Sequence, residues 1–153
     1  RFWKVNLYGS PYRDIGSHAG LFVAASGQWS PDPLLSSEEF SAGGLPVGRA
    51  YDYGEVMGDR GLAGQAELRL GWDPHLRPLT FFQTYAFFDG AKVWNYNAAP
   101  GWKSAALTSA GAGLRLVFDD VALRLELAKP LTRTPYTQGD RGLRGFVSLS
   151  ANF

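Results

Sequence analysis

Cysteine is absent from the 153 residues, which excludes disulfide frameworks, Cys-ligated zinc and thiol nucleophiles and leaves the compartment open. Long apolar runs are also missing. The longest, Leu21 to Ala25, has five residues, far short of the ~20 that a membrane-spanning helix needs. Spanning strands survive this test, because each needs only ~9 to 11 residues and alternation hides its apolar face. Charge of one sign is scarce: 15 basic residues against 14 acidic give a net +1, so composition offers no electrostatic footprint for nucleic acid. Only two histidines are present. Neither His18 nor His75 has metal-ligand spacing, and no G-x-S-x-G elbow or helix-opening glycine loop occurs. The adjacent acids Glu38-Glu39 and Asp119-Asp120 point apart on extended backbone and make poor acid–base partners. The expectation is a protein that is not an enzyme and carries no cofactor or metal. Arg1-Phe2-Trp3-Lys4 contains no secretory apolar region and opens what already reads as a strand, which suggests a fragment.

What is present is glycine and aromatic rings, 19 Gly with 10 Phe, 7 Tyr and 5 Trp, and the best segments alternate with period two. In Val121 to Lys129, Val121, Leu123, Leu125 and Leu127 take one face while Ala122, Arg124, Glu126 and Ala128 take the other. Leu62 to Trp72 sets Leu62, Gly64, Ala66, Leu68, Leu70 and Trp72 against Ala63, Gln65, Glu67, Arg69 and Gly71. Leu143 to Phe153 places Val147, Leu149, Ala151 and Phe153 opposite Phe146, Ser148, Ser150 and Asn152. With Phe2–Tyr8, Ala19–Trp29, Leu79–Trp94 and Ser104–Phe118, the chain reads as seven strands, all-β and paired antiparallel in sequence order from Ala19 onward. The links alternate in length. Asp119-Asp120 and Asp73 to Pro78 are short, whereas Ser30 to Gly61, Asn95 to Lys103 and Thr132 to Gly142 are long; Gly9 to His18 is intermediate and blurs the pattern. Outer-membrane barrels carry this asymmetry, with short periplasmic turns and long external loops, and Trp29, Trp72, Trp94 and Trp102 stand where interfacial girdles sit. A soluble β-sandwich with its apolar face turned inward fits the alternation equally well.

Residues 37 to 69 read SEEFSAGGLPVGRAYDYGEVMGDRGLAGQAELR. The succession Glu38, Phe40, Gly43-Gly44, then Gly48-Arg49-Ala50-Tyr51, then Gly58-Asp59, Gly61 and Glu67-Leu68-Arg69 resembles the outer-membrane transporters of two-partner secretion. These haemolysin-activator proteins belong to the BamA-like superfamily. Phe87-Phe88-Asp89-Gly90 is similar to that family's F-x-D strand, and Ser109-Ala110-Gly111-Ala112-Gly113-Leu114-Arg115 to its SAG-x-GLR strand. Two departures stand out: Gly48 precedes the arginine instead of following it, and Ala91 replaces the glycine of D-x-G.

The resemblance implies the C-terminal half of a sixteen-stranded barrel, roughly strands ten to sixteen, in the bacterial outer membrane. It implies periplasmic POTRA domains that this chain does not include. Its partners would be a secreted polypeptide, outer-membrane lipid and the barrel assembly machinery, which reads the terminal Phe153. An assembly factor or surface antigen of the same superfamily is the alternative. The loop at 30–61, with Gly48 to Asp52 at its tip, would fold back into the lumen, and Arg49 would meet Asp89 on the strand carrying Phe87. A forked guanidinium suits that task, since it can hold two carboxylate oxygens at once, and exchanging the two charges should then restore part of a lost function. Tyr51 shares the parity of Arg49 if the stretch is extended. Glu67, Arg69, Arg115, Arg124 and Glu126 all fall on inferred lumen faces, where they would form a cross-strand charge ladder. An isolated chain would leave two strand edges open to pairing with another copy.

Overall fold

The computed structural model describes residues 2–97 and 103–151. Trp102 and Phe153, singled out above as a girdle residue and an assembly signal, lie outside the described residues. Strands that alternate in sequence do so in space. The elements are β1 (Val5–Gly9), β2 (Tyr12–Asp14), β3 (Ala19–Trp29), β4 (Phe40–Ala42), β5 (Val56–Gly58), β6 (Arg60–Trp72), β7 (Leu79–Trp94), β8 (Ser104–Phe118), β9 (Val121–Pro130) and β10 (Arg144–Ala151). One large sheet runs β1-β3-β6-β7-β8-β9-β10, with β2 also pairing β3, and β4 pairs β5 in a separate hairpin. Every pairing is antiparallel, and from β3 onward each strand of the large sheet neighbours the next in sequence.

Two expectations need correction. The first strand is broken: β1 pairs Ala25–Trp29 and β2 pairs Gly20–Phe22, both on β3. Pro11 sits between them, where its missing N–H cannot join the ladder. The intermediate Gly9–His18 link therefore shrinks to residues 15–18, and the alternation of short and long links becomes regular. Second, the long 30–61 link holds two strands that the seven-strand reading does not include. It contains the β4–β5 hairpin, in which Phe40 pairs Gly58 and Ala42 pairs Val56, strands too short to show a period.

Directly paired residues share a face, so the register fixes two surfaces. Leu149 opposes Leu123 and Val147 opposes Leu125 on one; Ser148 opposes Arg124 and Phe146 opposes Glu126 on the other. The first surface is bare, with Leu127 53% and Leu149 69% exposed, which rules out a sandwich whose second layer would cover it. The buried cluster lies on the second surface. There Ala42, Val47, Ala50, Tyr51 and Val56 of the 30–61 loop pack on Ala63, Tyr85, Phe87, Ala91, Val93, Leu107 and Ala128 of β6 to β9. The core is thus the seam between a barrel wall and a loop folded against its inside.

Candidate functional site

The inner face of β6 to β9 is a grid whose rows follow from the pairing. One row sets Gln65 beside Asp89 and Ser109; the next sets Glu67 beside Phe87 and Gly111; the next Arg69 beside Tyr85 and Gly113, with Gly113 opposite Glu126; the last pairs Gln83, Arg115 and Arg124. Glycine on β8 makes room. A Cβ on Gly111 would stand 2.6 Å from the Phe87 ring and one on Gly113 2.5 Å from the Tyr85 ring, so both rings lie down over bare backbone. Their upturned faces then receive guanidinium groups: Arg49 Cζ is 4.2 Å from the Phe87 centroid and Arg115 Cζ 4.0 Å from the Tyr85 centroid, a cation–π geometry.

Arg49 reaches this grid from a tight turn. Gly43, Gly44 and Gly48 all have positive φ, and a Cβ on Gly48 would meet Gly43 Cα and Leu107 Cδ1 at 2.9 Å. The glycine ahead of the arginine is therefore the residue that permits the turn. Arg49 Nη2 donates to Glu67 Oε1 at 2.5 Å and also to Gln65 Oε1, Nη1 donates to Glu126 Oε2 at 3.1 Å, and Nε donates to the Pro46 carbonyl at 3.3 Å. All of these donors are spent inside a site where Glu67 is 1% and Asp89 0% exposed.

The structure places Arg49 Nε 3.7 Å from Asp89 Oδ2, but the fork is not shared with Asp89. Instead the Gly48 amide donates to Asp89 Oδ1 at 2.9 Å, the Arg49 amide to Oδ2 at 3.4 Å and the Ser109 hydroxyl to Oδ1 at 2.5 Å. Asp89 holds the turn's backbone, while the arginine's two oxygens come from separate glutamates on β6 and β9. The charged side chains of β6, β8 and β9 on this face form one cluster. Arg69 Nε donates to Glu67 Oε2 at 2.7 Å, Arg115 Nη2 to the same oxygen at 3.1 Å, Arg124 Nη2 to Glu126 Oε2 at 2.5 Å, and the Tyr85 hydroxyl to Glu126 Oε2 at 2.6 Å. The wall strands supply three guanidinium groups and three carboxylates, so the one cation in excess is Arg49 of the loop.

Tyr51 does not continue an extended run, because its amide donates to the Gly48 carbonyl at 2.8 Å and closes the turn. Its hydroxyl donates to the Thr108 carbonyl at 2.9 Å and accepts from the Thr132 and Arg133 amides at 3.3 Å. Ala50 is fully buried and its carbonyl accepts from Arg144 at 3.0 Å. Asp52 accepts from the Thr137 amide and from Arg144 Nη2, both at 2.9 Å. The Thr137 amide, with the Arg144 guanidinium, holds the Asp52 carboxyl below the usual aspartate range. At the base of the loop, Asp59 accepts from the Leu34 amide at 2.6 Å and the Tyr96 amide at 2.8 Å. Sequence reasoning missed Gln65, Ser109, Thr137 and Arg144 as partners. The first two were available from cross-strand register; the last two come from loop-to-loop docking, which leaves no periodic trace.

Apolar side chains outside, ion pairs inside and a loop seated on the inner wall define a segment of a loop-filled outer-membrane β-barrel. The family described as haemolysin secretion/activation protein ShlB/FhaC/HecB matches residues 1–116, and the chain belongs to it. Among solved structures, CdiB from Escherichia coli superposes with a TM-score of 0.82 at 24% identity, over 98% of this chain and 27% of that one. CdiB from Acinetobacter baumannii gives 0.71 at 24%, over 97% and 26%. At that identity the likeness speaks for the fold, and the chain spans about a quarter of each solved relative. No curated protein sequence matches it.

Proposed function

We infer that the chain supplies the C-terminal wall of a barrel that exports a partner polypeptide across the outer membrane, and that the 30–61 loop is its internal gate element. Family membership supports export. The gate reading rests on one observation: the tip arginine of this loop is bonded to carboxylates of two non-adjacent strands, β6 and β9, and stacked on the β7 strand between them. A loop held this way has a defined seated state and a defined set of bonds to break. The grid it covers is polar but internally neutralised to within one charge, so an unfolded chain passing it meets hydrogen-bonding surface without a deep electrostatic trap. Export of this kind needs no nucleotide if folding of the partner outside drives it.

The test uses the full-length protein expressed with its partner exoprotein. Arg49→Ala should lower the amount of exoprotein in the medium while the barrel remains at normal level and heat-modifiable in outer-membrane fractions. Undiminished export with a folded Arg49→Ala barrel would overturn the gate role.

A further inference from the structure

The outward face of the large sheet carries a charge pattern that the secretion reading does not use. By register, no carboxylate projects outward from any described strand of that sheet, and four cations do: Arg13, Arg60, Lys92 and Lys129. Arg13 is at the short-link rim. The other three cluster towards the long-loop end, where Leu62 pairs Lys92, Arg60 pairs Trp94 and Lys129 pairs Ala110.

Arg60 is prepared as an anion grip. Its Cζ lies 5.2 Å from the Trp29 centroid and 4.5 Å from that of Tyr96, and its Nε donates to the Ser30 carbonyl at 2.9 Å. Among the described residues no hydrogen bond or ion pair engages its two terminal nitrogens. Lys92 stands diagonally across from it, about 7 to 8 Å away in strand geometry, with its Nζ 5.3 Å from the Trp94 centroid. Lys129 is two strands and four residues from Lys92, about 16 Å by strand spacing and rise. Between the two lysines the outward positions are Gly90, Ala106, Thr108 and Ala110, all small, and the exposed ring of Phe88, which pairs Ala110. One outward step below Lys129 begins an apolar recess of about 900 Å³, floored by Ala86, Ala112 and Gly145 and walled by Leu68, Leu114 and Leu127.

We propose that this face binds a phosphorylated glycolipid of the outer leaflet, with one phosphate held by Arg60 and Lys92, a second by Lys129, and an acyl chain in the recess. Lipid hydrocarbon excludes unpaired charge, so lysines on this face persist only where their heads meet the interface. Long loops mark the external side. The anionic lipid on that side of an outer membrane is the bisphosphorylated glycolipid, and two cationic points ~16 Å apart suit two phosphates better than the single phosphate of a phospholipid. The site needs only that the sheet is barrel wall, whether or not the protein exports a partner.

Native mass spectrometry of the full-length protein in detergent, titrated with bisphosphoryl lipid A, monophosphoryl lipid A or phosphatidylglycerol, tests it. The wild type should prefer them in that order. Lys92→Gln with Lys129→Gln should weaken lipid A binding about thirtyfold, roughly fivefold per lysine near an anionic surface, and the corresponding pair of arginine substitutions should keep it. Heat-modifiable mobility verifies that each barrel is folded. Equal binding of lipid A by the double glutamine variant, or a wild type that takes phosphatidylglycerol as readily, would overturn the site.

Discussion

At the residue scale, Arg49 is set apart by the number of partners it must satisfy at once. A lysine there carries one compact ammonium and cannot bridge Glu67 and Glu126 while stacking flat on Phe87. Arg49→Lys should therefore fall between wild type and Arg49→Ala in export, with barrel insertion unchanged. Truncating one partner of a dry buried ion pair costs about 3 to 5 kcal/mol, and lumen water lowers this. The geometry also bears on the charge exchange, since Arg49 Nε lies 3.7 Å from Asp89 Oδ2 while its terminal nitrogens hold the two glutamates. Asp89 is bound by the Gly48 and Arg49 amides and Ser109, so an aspartate placed at 49 would face Glu67 and Glu126 instead of a new arginine. Arg49→Asp with Asp89→Arg should thus export no better than Arg49→Asp alone, and partial rescue would contradict the assignment of the fork to the glutamates. Asp52 titrates in the latch to Thr137 and Arg144. Its carboxyl is depressed on folding, so the latch's contribution is complete above the ordinary aspartate value of about 3.9 and fades as pH drops through the lower folded value. Proteolysis of the 131–143 segment in the purified protein should be constant from pH 8 to about 5 and rise only in stronger acid; Asp52→Asn should be cleaved faster already at pH 7.

At the scale of elements, the glycines of β8 act through their neighbours on β7. Gly111→Ala would bring a methyl within 2.6 Å of the Phe87 ring and against the Leu127 carbonyl, an overpacking worth about 1 to 3 kcal/mol, and it removes the platform on which Arg49 stacks. Protease should then nick the 30–61 loop faster, whereas an alanine at Gly64, whose Cβ meets only the Ala24 carbonyl at 3.5 Å, should change little. Most elements were legible in the sequence. β6 and β9 cover the segments that period two marks most clearly, because lipid on one side and a polar lumen on the other favour alternation, and β3, β7 and β8 span the expected residues although their alternation is less clean. The break between β1 and β2 was written in Pro11 and was still missed, since an edge strand tolerates interruption. β4 and β5 left no trace, being three residues each and pinned by packing of Phe40 over Gly61. Parity put Glu67, Arg69, Arg115, Arg124 and Glu126 on one face, but which of them share Arg49 depends on interstrand register and the height of the loop tip. Neither is local information.

At the scale of the whole molecule, the sheet ends in two edges, β1 with β2 on one side and β10 on the other, with no other described strand of the sheet beyond them. Each exposes a row of backbone groups that hydrocarbon cannot satisfy. The 153-residue polypeptide on its own in detergent should therefore cross-link as multimers through these edges, and a monodisperse monomer by light scattering would contradict that. The Arg49–Glu126 bond spans 77 positions of sequence, and its second glutamate arrives only with β9. The loop's bonds to β6 and β7 and its packing on β8 can form before β9 is present, but its tip arginine has both glutamates only once the sheet has grown past it, a late step of high contact order. Time-resolved proteolysis during assembly should find the 30–61 segment cleaved faster before β9 has docked than after. If the loop is the gate, its arginine is a timer as well as a clasp, fully bound only once the wall that holds it exists.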